Sequence, residues 1–384
     1  MNHIYTGALA PFLPIISEEL GLSWTEAGFI TSAVIVTMTA AHLLIGYLGD
    51  KKGWRDIFIS VSVLAAAVVM LFASFATSFL YLIATQIAMG FAVSGYHPSA
   101  FPAITDAFPK RERAKAVGIQ AMGGLIGMAL IPVVGVWLLV VMGGWRESLQ
   151  ILAVLGVIVF IPSFSLMRHS NSQFKQNENN NENTEGDVDG WTRNYFLVLI
   201  LMGLRGIPFR STTLLMPLYL VDQYGFEPIW AGSLTSIMLV SGLFAEIISA
   251  PLSDRTGKRV PFMILSAGLA GPILLMLNFS LEVIPLVLVL MAFGFIYFLG
   301  VPPAQAYQTE VAPKKAKGLA FGIFFSIGAI PGALAPFIFG VLAENYGLES
   351  SIMFLVIVSV LATIVALFLK EVPETETVTV RVPE

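Results

Sequence analysis

Long apolar runs, cut by short polar or charged turns, recur along the whole chain. Ending each run where charge or turn residues interrupt it predicts membrane-spanning helices near 3–17, 26–48, 57–77, 79–104, 116–141, 148–167, 194–221, 229–252, 261–280, 284–308, 319–342 and 351–369. Pro98, Pro102, Pro132, Pro302, Pro303, Pro331 and Pro336 stand inside these runs. In lipid, neighbouring helices can satisfy the backbone groups a proline frees, so kinks are expected there rather than helix ends. The first run is short, and no basic segment precedes it, so a cleaved signal peptide is not expected. Residues 168–193 have the opposite character, poor in apolar side chains and rich in Asn and Glu. Such a stretch cannot bury enough surface to fold and predicts a disordered linker. The expected organisation is a six-helix half at 1–167, the linker, a second six-helix half at 194–370 and a tail at 371–384.

Composition agrees with solvation by lipid. Hydrophobic residues make up 56% of the chain, mean hydropathy is +0.81, and only 12% of residues are charged, against about 25% in soluble domains. With roughly 20 residues per crossing, the chain has room for about twelve helices. Cysteine is absent, which excludes disulfides and thiolate chemistry. The placement of basic residues says more than the net charge of −4. Eighteen of 21 lie in alternate loops or the tail on one side; Arg146 is on the other side, and Arg205 and Arg210 lie within a helix. This bias predicts that those loops and both termini are cytoplasmic.

The two halves share one register. Asp50-Lys51-Lys52-Gly53 is answered 204 residues later by Asp254-Arg255-Thr256-Gly257, and Thr105–Arg111 by Thr309–Lys315. Gly118, Gly124 and Pro132 align with Gly322, Gly328 and Pro336 at the same offset. Parallel repeats of six helices imply a pseudo-twofold axis along the membrane normal and a central cavity between halves. At this offset Met1 meets Arg205, so residues 194–204 have no counterpart in the first half, and a start upstream of Met1 is expected.

Gly46, Leu48, Asp50, Lys51, Gly53 and Arg55 fit the G-x-L-x-D-[RK]-x-G-[RK]-like signature between helices two and three of the major facilitator superfamily, with Trp54 at one basic position. Leu252, Asp254, Arg255, Gly257, Lys258 and Arg259 repeat it, with Ala250 where the first glycine would stand. The chain therefore resembles that superfamily along nearly its whole length. The resemblance implies an all-α fold of twelve spans, alternating-access transport rather than catalysis, and a gating role for the two signature copies. HIYTGALAPFLPIISEELGLSWTEAGFI, GYHPSAFPAITDAF and LRGIPFRSTTLLMPLYL are similar to the branch that includes fosmidomycin-resistance efflux proteins. In helix five, Gly118, Gly127, Pro132 and Gly135 match the glycine–proline pattern of drug–proton antiporters, while Ile131 and Val136 replace two of its glycines. The pattern leans toward export; equally, small residues let helices approach closely in lipid.

Ionisable residues within the spans are few. A charge near the bilayer centre costs at least about 2.5–3.5 kcal/mol, so each is a functional candidate. Glu246 lies eight residues before Asp254, roughly 12 Å from the gate, and His42 is its counterpart in the repeat. Both can change protonation, which makes them candidates for proton coupling. His97, beside Pro98, is a candidate cavity residue. Arg205 and Arg210 cannot shed their charge and lie about 140° apart around one helix. One of the two is expected to face the cavity and bind an anion or pair with Glu246, the other to reach polar groups between helices. Packing roles for the histidines compete with these readings.

No phosphate-cradling loop, metal-spaced cluster or nucleic-acid motif occurs in the sequence. The leading expectation is proton-coupled efflux of small amphipathic or anionic compounds by a monomer in a prokaryotic cell membrane, with no cofactor beyond the coupling proton and no partner beyond solute and lipid. Uptake of an organic anion is the alternative within this fold, and a transport-inactive receptor or scaffold is the alternative of another class.

Overall fold

The computed structural model describes residues 1–107, 110–177, 190–313 and 317–372. Its first run is not one helix. Helix α1 (Asn2–Gly7) gives way to a 3-10 turn at Ala10–Phe12 and then α2 (Leu13–Leu20), because Pro11 and Pro14 supply no backbone N–H to continue the ladder. Then follow α3 (Trp24–Lys52), α4 (Arg55–Ala73), α5 (Phe79–Val93), α6 (Tyr96–Ala107), α7 (Lys110–Met142) and α8 (Trp145–Asn177). The second half comprises α9 (Arg193–Tyr224), α10 (Pro228–Thr256), α11 (Val260–Leu275), α12 (Val283–Leu299), α13 (Val301–Val311), α14 (Lys317–Ser326), α15 (Ile330–Tyr346) and α16 (Leu348–Leu367). Among the described residues, eleven spans are long and apolar enough to cross a membrane. The broken α1–α2 segment makes the twelfth.

Several expectations change in detail. The runs at 79–104, 284–308 and 319–342 are each two helices in line, α5–α6, α12–α13 and α14–α15. Glycine or proline stands at each break: Gly95, Gly300, and Gly328 with Pro331. Helix α8 continues to Asn177, into the stretch expected to be a linker; residues 178–189 and 373–384 lie outside the described residues. Glu371, expected in the tail, accepts hydrogen bonds from the Arg259 and Val260 N–H groups at the start of α11, satisfying donors that a helix N-terminus leaves open.

The repeat persists in packing. Gly90 on α5 lies against the Val34 carbonyl and Thr37 of α3; Gly294 on α12 lies against the Met238 carbonyl and Ser241 of α10, every member 204 residues on. Neither glycine has room for a Cβ. The seams between halves follow the same rule. Gly28 on α3 meets the Pro336 carbonyl of α15, and Gly232 on α10 meets the Pro132 carbonyl of α7, again at the offset of 204. Since lipid is as apolar as leucine, helices gain by packing rather than by leaving water, and such close approach is what holds the halves together.

Hydrogen bonds that join the halves gather toward the end where Trp24 lies. The Trp24 indole donates to Asp222 at 2.8 Å, the Thr25 N–H to Glu344 at 2.9 Å, the Phe337 N–H to the Ser32 hydroxyl at 2.9 Å, and the Ser236 hydroxyl to the Ala129 carbonyl at 3.0 Å. Glu344 thus binds the N-terminal turn of α3 from the opposite half, where the helix dipole favours a carboxylate. At the same end, within the first half, Glu19 accepts from the Trp145 indole at 2.7 Å and pairs with Arg146 at 2.6 Å.

These bonds make the Trp24 end a latch. Ala231, at the start of α10, is fully buried beside it. With Ala231→Cys as the sole thiol, the double change Trp24→Phe and Glu344→Gln is expected to raise labelling by a membrane-impermeant maleimide roughly tenfold, for a loss of about 1.4 kcal/mol. Equal labelling would show that the bonds do not hold the end shut.

Candidate functional site

Three histidines meet in the first half. Helix α1 carries His3, α3 carries His42, and α6 carries His97 just past the α5–α6 break. The rings of His3 and His97 lie edge to face with centroids 5.1 Å apart, His42 and His97 stand 6.1 Å apart, and Tyr96 is 5.3 Å from His97. Helix α7 makes room for them. Gly124 lies under the His3 ring, Gly127 under Ile4, and Gly135 under Pro11 and Phe12. The glycine row of helix five is therefore the groove in which the broken first span sits. His42 Nε2 is buried with no hydrogen-bond partner among the described residues.

The two arginines of α9 have separate fates. Arg205 is only 3% exposed. It donates to the Tyr297 carbonyl at 2.7 Å and the Gly300 carbonyl at 3.2 Å, with its guanidinium 4.9 Å from the Tyr297 ring centre. These carbonyls end α12, where the helix dipole is negative. Hydrogen bonds to a charged group contribute about 1.5–3 kcal/mol each, enough to offset a membrane insertion cost of about 2.5–3.5 kcal/mol. Arg210, one and a half turns on, lies 5.6 Å from the Phe209 ring and has no hydrogen bond or ion pair among the described residues. It is half-buried among the helices.

Around Arg210 the halves contribute different chemistry. His3 and His97 lie within its electrostatic reach. Phe209 stacks on Tyr297 with centroids 5.0 Å apart and planes 7° from parallel. Tyr297 in turn lies within reach of Arg205, Arg210 and Glu246. His3, His42, His97 and Glu246 are half-buried rather than sealed. The first half thus contributes a histidine wall, the second an arginine–aromatic wall, and α10 one acid.

The gate signatures sit at the opposite end from Trp24. Gly53 and Gly257 adopt φ of 66° and 64° as they end α3 and α10, a backbone region that disfavours any side chain. Arg259 forms ion pairs with Asp254 at 2.6 Å and Glu310 at 3.0 Å, and donates to the Ser253 hydroxyl at 2.8 Å. The Ser253 hydroxyl also donates to the Lys258 carbonyl, while Leu252 is exposed. In the first copy, Gly46 packs on Pro98, Lys51 donates to the Tyr47 hydroxyl at 3.0 Å, and Lys52 stands 4.4 Å over the Trp54 ring. Trp54, at a position where the signature carries a base, is thus a cation–π partner. Of the residues singled out in sequence, the side chain of Asp50 and the packing of Gly118 fall outside the described residues.

The family model of the Major Facilitator Superfamily matches residues 1–336 and 198–383. The chain belongs to the Major Facilitator Superfamily. It is 26% identical to the probable sulfoacetate transporter SauU of Cupriavidus necator, over 87% of this chain and 82% of that one. It is 22% identical to the D-galactonate transporter of Escherichia coli O6:H1, over 91% and 87%. It is 26% identical to the multidrug resistance protein MdtG of a Rahnella species, over 89% and 84%. A bacterial homologue of the human lysosomal transporter Spinster, in an inward-facing and occupied conformation, superposes with a TM-score of 0.76 at 14% identity, covering 95% of this chain and 93% of that one. The protein is accordingly an integral membrane transporter of this superfamily and not an enzyme.

Sequence reasoning left Tyr297 and Phe209 out of the site. Tyr297 had a signal, since its hydroxyl interrupts the run VIPLVLVLMAFGFIYFL, but Phe209 had none. The seat of His3 can be tested directly. A Cβ on Gly124 would come within 2.6 Å of the His3 ring, whereas one on Gly123 meets nothing within 4 Å. Gly124→Ala is expected to destabilise the detergent-solubilised protein by about 1–3 kcal/mol, read as a lowered Tm, with Gly123→Ala unchanged; equal Tm values would mean the groove is not tight.

Proposed function

We propose that this transporter moves small organic anions, carboxylates or sulfonates, together with protons. The observation that carries the reading is Arg210, a permanent cation half-buried in the seventh span with no hydrogen bond or ion pair among the described residues. A planar guanidinium matches a carboxylate or sulfonate with paired hydrogen bonds. The sulfoacetate and D-galactonate transporters among its relatives are named for such anions.

Coupling follows from the wall opposite. A proton on His3, His42 or His97 adds positive charge beside Arg210 and strengthens anion binding. By linkage the anion strengthens proton binding by the same factor. Glu246 contributes the opposite sign: ionised it competes with the anion for Arg210, protonated it does not. In this reading the basic loops face the cytoplasm, the Trp24 latch closes the outer side, and the cavity opens inward, with Asp254, Arg259 and Glu310 as gate residues.

The test uses proteoliposomes containing a pH-sensitive dye, with sulfoacetate and D-galactonate as solutes. The parent chain is expected to show solute-dependent proton movement that strengthens as the medium on the entry side is acidified. Arg210→Gln is expected to lose anion and proton movement together, while Glu246→Gln keeps anion movement with weaker coupling to protons. Anion flux at the parent level in Arg210→Gln would overturn the assignment. A second reading, export of amphipathic compounds, is favoured by the MdtG relatives and by the glycine–proline pattern of α7. Dye export from inverted vesicles without any response to the anions would select it.

A further inference from the structure

The fourth and tenth spans are both broken where they line the cavity, α5–α6 at Ser94–Gly95 and α12–α13 at Gly300. A helix that stops inside the membrane leaves the carbonyls of its last turn without partners, and lipid offers none. In each half, the first span of that half supplies the donor. The Asn2 amide donates to the Val93 carbonyl at 2.8 Å. The Arg205 guanidinium donates to the Tyr297 carbonyl at 2.7 Å and, at 3.2 Å, to the Gly300 carbonyl, which also accepts from the Ala304 N–H.

The two acceptors, Val93 and Tyr297, are separated by the repeat offset of 204, and the donors by one residue less. Each break also presses a glycine against the third span of its half. Gly95 meets the Phe58 carbonyl and Ser62 of α4, and Gly300 meets Ser266 of α11. Ser62 and Ser266 are again 204 apart. A neutral amide and a permanent cation thus reach the same carbonyl of the repeat, and the breaks rest on the same serine. Beside each break stands a cavity side chain: His97 follows one, Tyr297 precedes the other.

We propose that Asn2 and Arg205 are paired positioning residues, each clamping the carbonyl end of a broken span and so fixing the bend that presents His97 and Tyr297 to the cavity. Both are buried: Arg205 is sealed between helices, and the Asn2 side-chain nitrogen is committed to Val93, with Oδ1 unpartnered among the described residues. The inference rests on the two breaks and holds whichever solute is carried.

Because the natural chain has no cysteine, spin labels can be placed in pairs on the full-length protein in lipid nanodiscs. Leu288→Cys with Gln305→Cys spans the α12–α13 break. Leu80→Cys with Ala103→Cys spans the α5–α6 break, and Ile247→Cys with Leu288→Cys is a control on α10 and α12. Arg205→Gln is expected to broaden the distance distribution across α12–α13 by about a factor of two and to leave the control pair unchanged. Arg205→Lys, whose ammonium can reach one carbonyl, is expected to fall between; Arg210→Gln is expected to match the parent. Asn2→Ala is expected to broaden only the α5–α6 pair. This second variant removes a neutral donor and carries the test alone if Arg205→Gln does not assemble. Unchanged widths across the breaks, or equal broadening of the control pair, would overturn the proposal.

Discussion

Helices in lipid cannot be driven together by escape from water, so the assembly depends on how closely backbones approach. The chain meets this constraint with glycines facing carbonyls at Gly28–Pro336 and Gly232–Pro132 between the halves, and at Gly90–Val34 and Gly294–Met238 within them. Each such contact brings Cα–H groups against a carbonyl oxygen, contributing about 0.5–1 kcal/mol, and permits dispersion contact along whole helix faces. The hydroxyls of Ser32 and Ser236 add a hydrogen bond at each seam. A seam made this way is strong in register and weak in total area. Such a seam suits two halves that must rock against each other.

Much of this was legible in sequence because lipid makes the rules strict. Uninterrupted apolar length located the spans, and the offset of 204 fixed the pairing of halves. What escaped was local. The breaks at Gly95 and Gly300 look in sequence like the kink-forming prolines and glycines elsewhere, and only the three-dimensional position of a donor decides whether a helix bends or ends. The broken first span was equally hidden, since Pro11 and Pro14 alone cannot say whether a neighbouring helix offers a groove; the glycine row of α7 does. That row was read through its similarity to an antiporter pattern, and its physical content here is a seat for His3, Ile4 and Pro11.

The site shows the same limit. Glu246, His42, His97, Arg205 and Arg210 were all visible as rare ionisable residues in apolar runs. Their division of labour was not. Helical geometry separates Arg205 from Arg210 by more than a third of a turn, yet which one finds partners depends on where α12 stops. Because α12 ends at Leu299, its carbonyls point at Arg205, and a buried cation finds negative dipole ends instead of solute. Arg210 has no equivalent, so its charge is left with no hydrogen bond or ion pair among the described residues.

Alternating access then reduces to a question of which contacts exist in one state only. The Trp24–Asp222 and Thr25–Glu344 bonds cross between halves and must break if that end opens. The Arg259 pairs with Asp254 and Glu310 lie within one half and can persist through the motion. Bonds of the first kind set the equilibrium between states; bonds of the second kind keep each half rigid enough to move as a body. A solute can shift that equilibrium only by binding one state better than the other. In the proposed anion reading, the groups able to do so stand on opposite halves: the histidines of α1, α3 and α6 on one and the Arg210 guanidinium of α9 on the other. In that reading, closing the halves around an anion brings Arg210 and the histidine wall onto the same charge, and opening them at either end separates the two walls again.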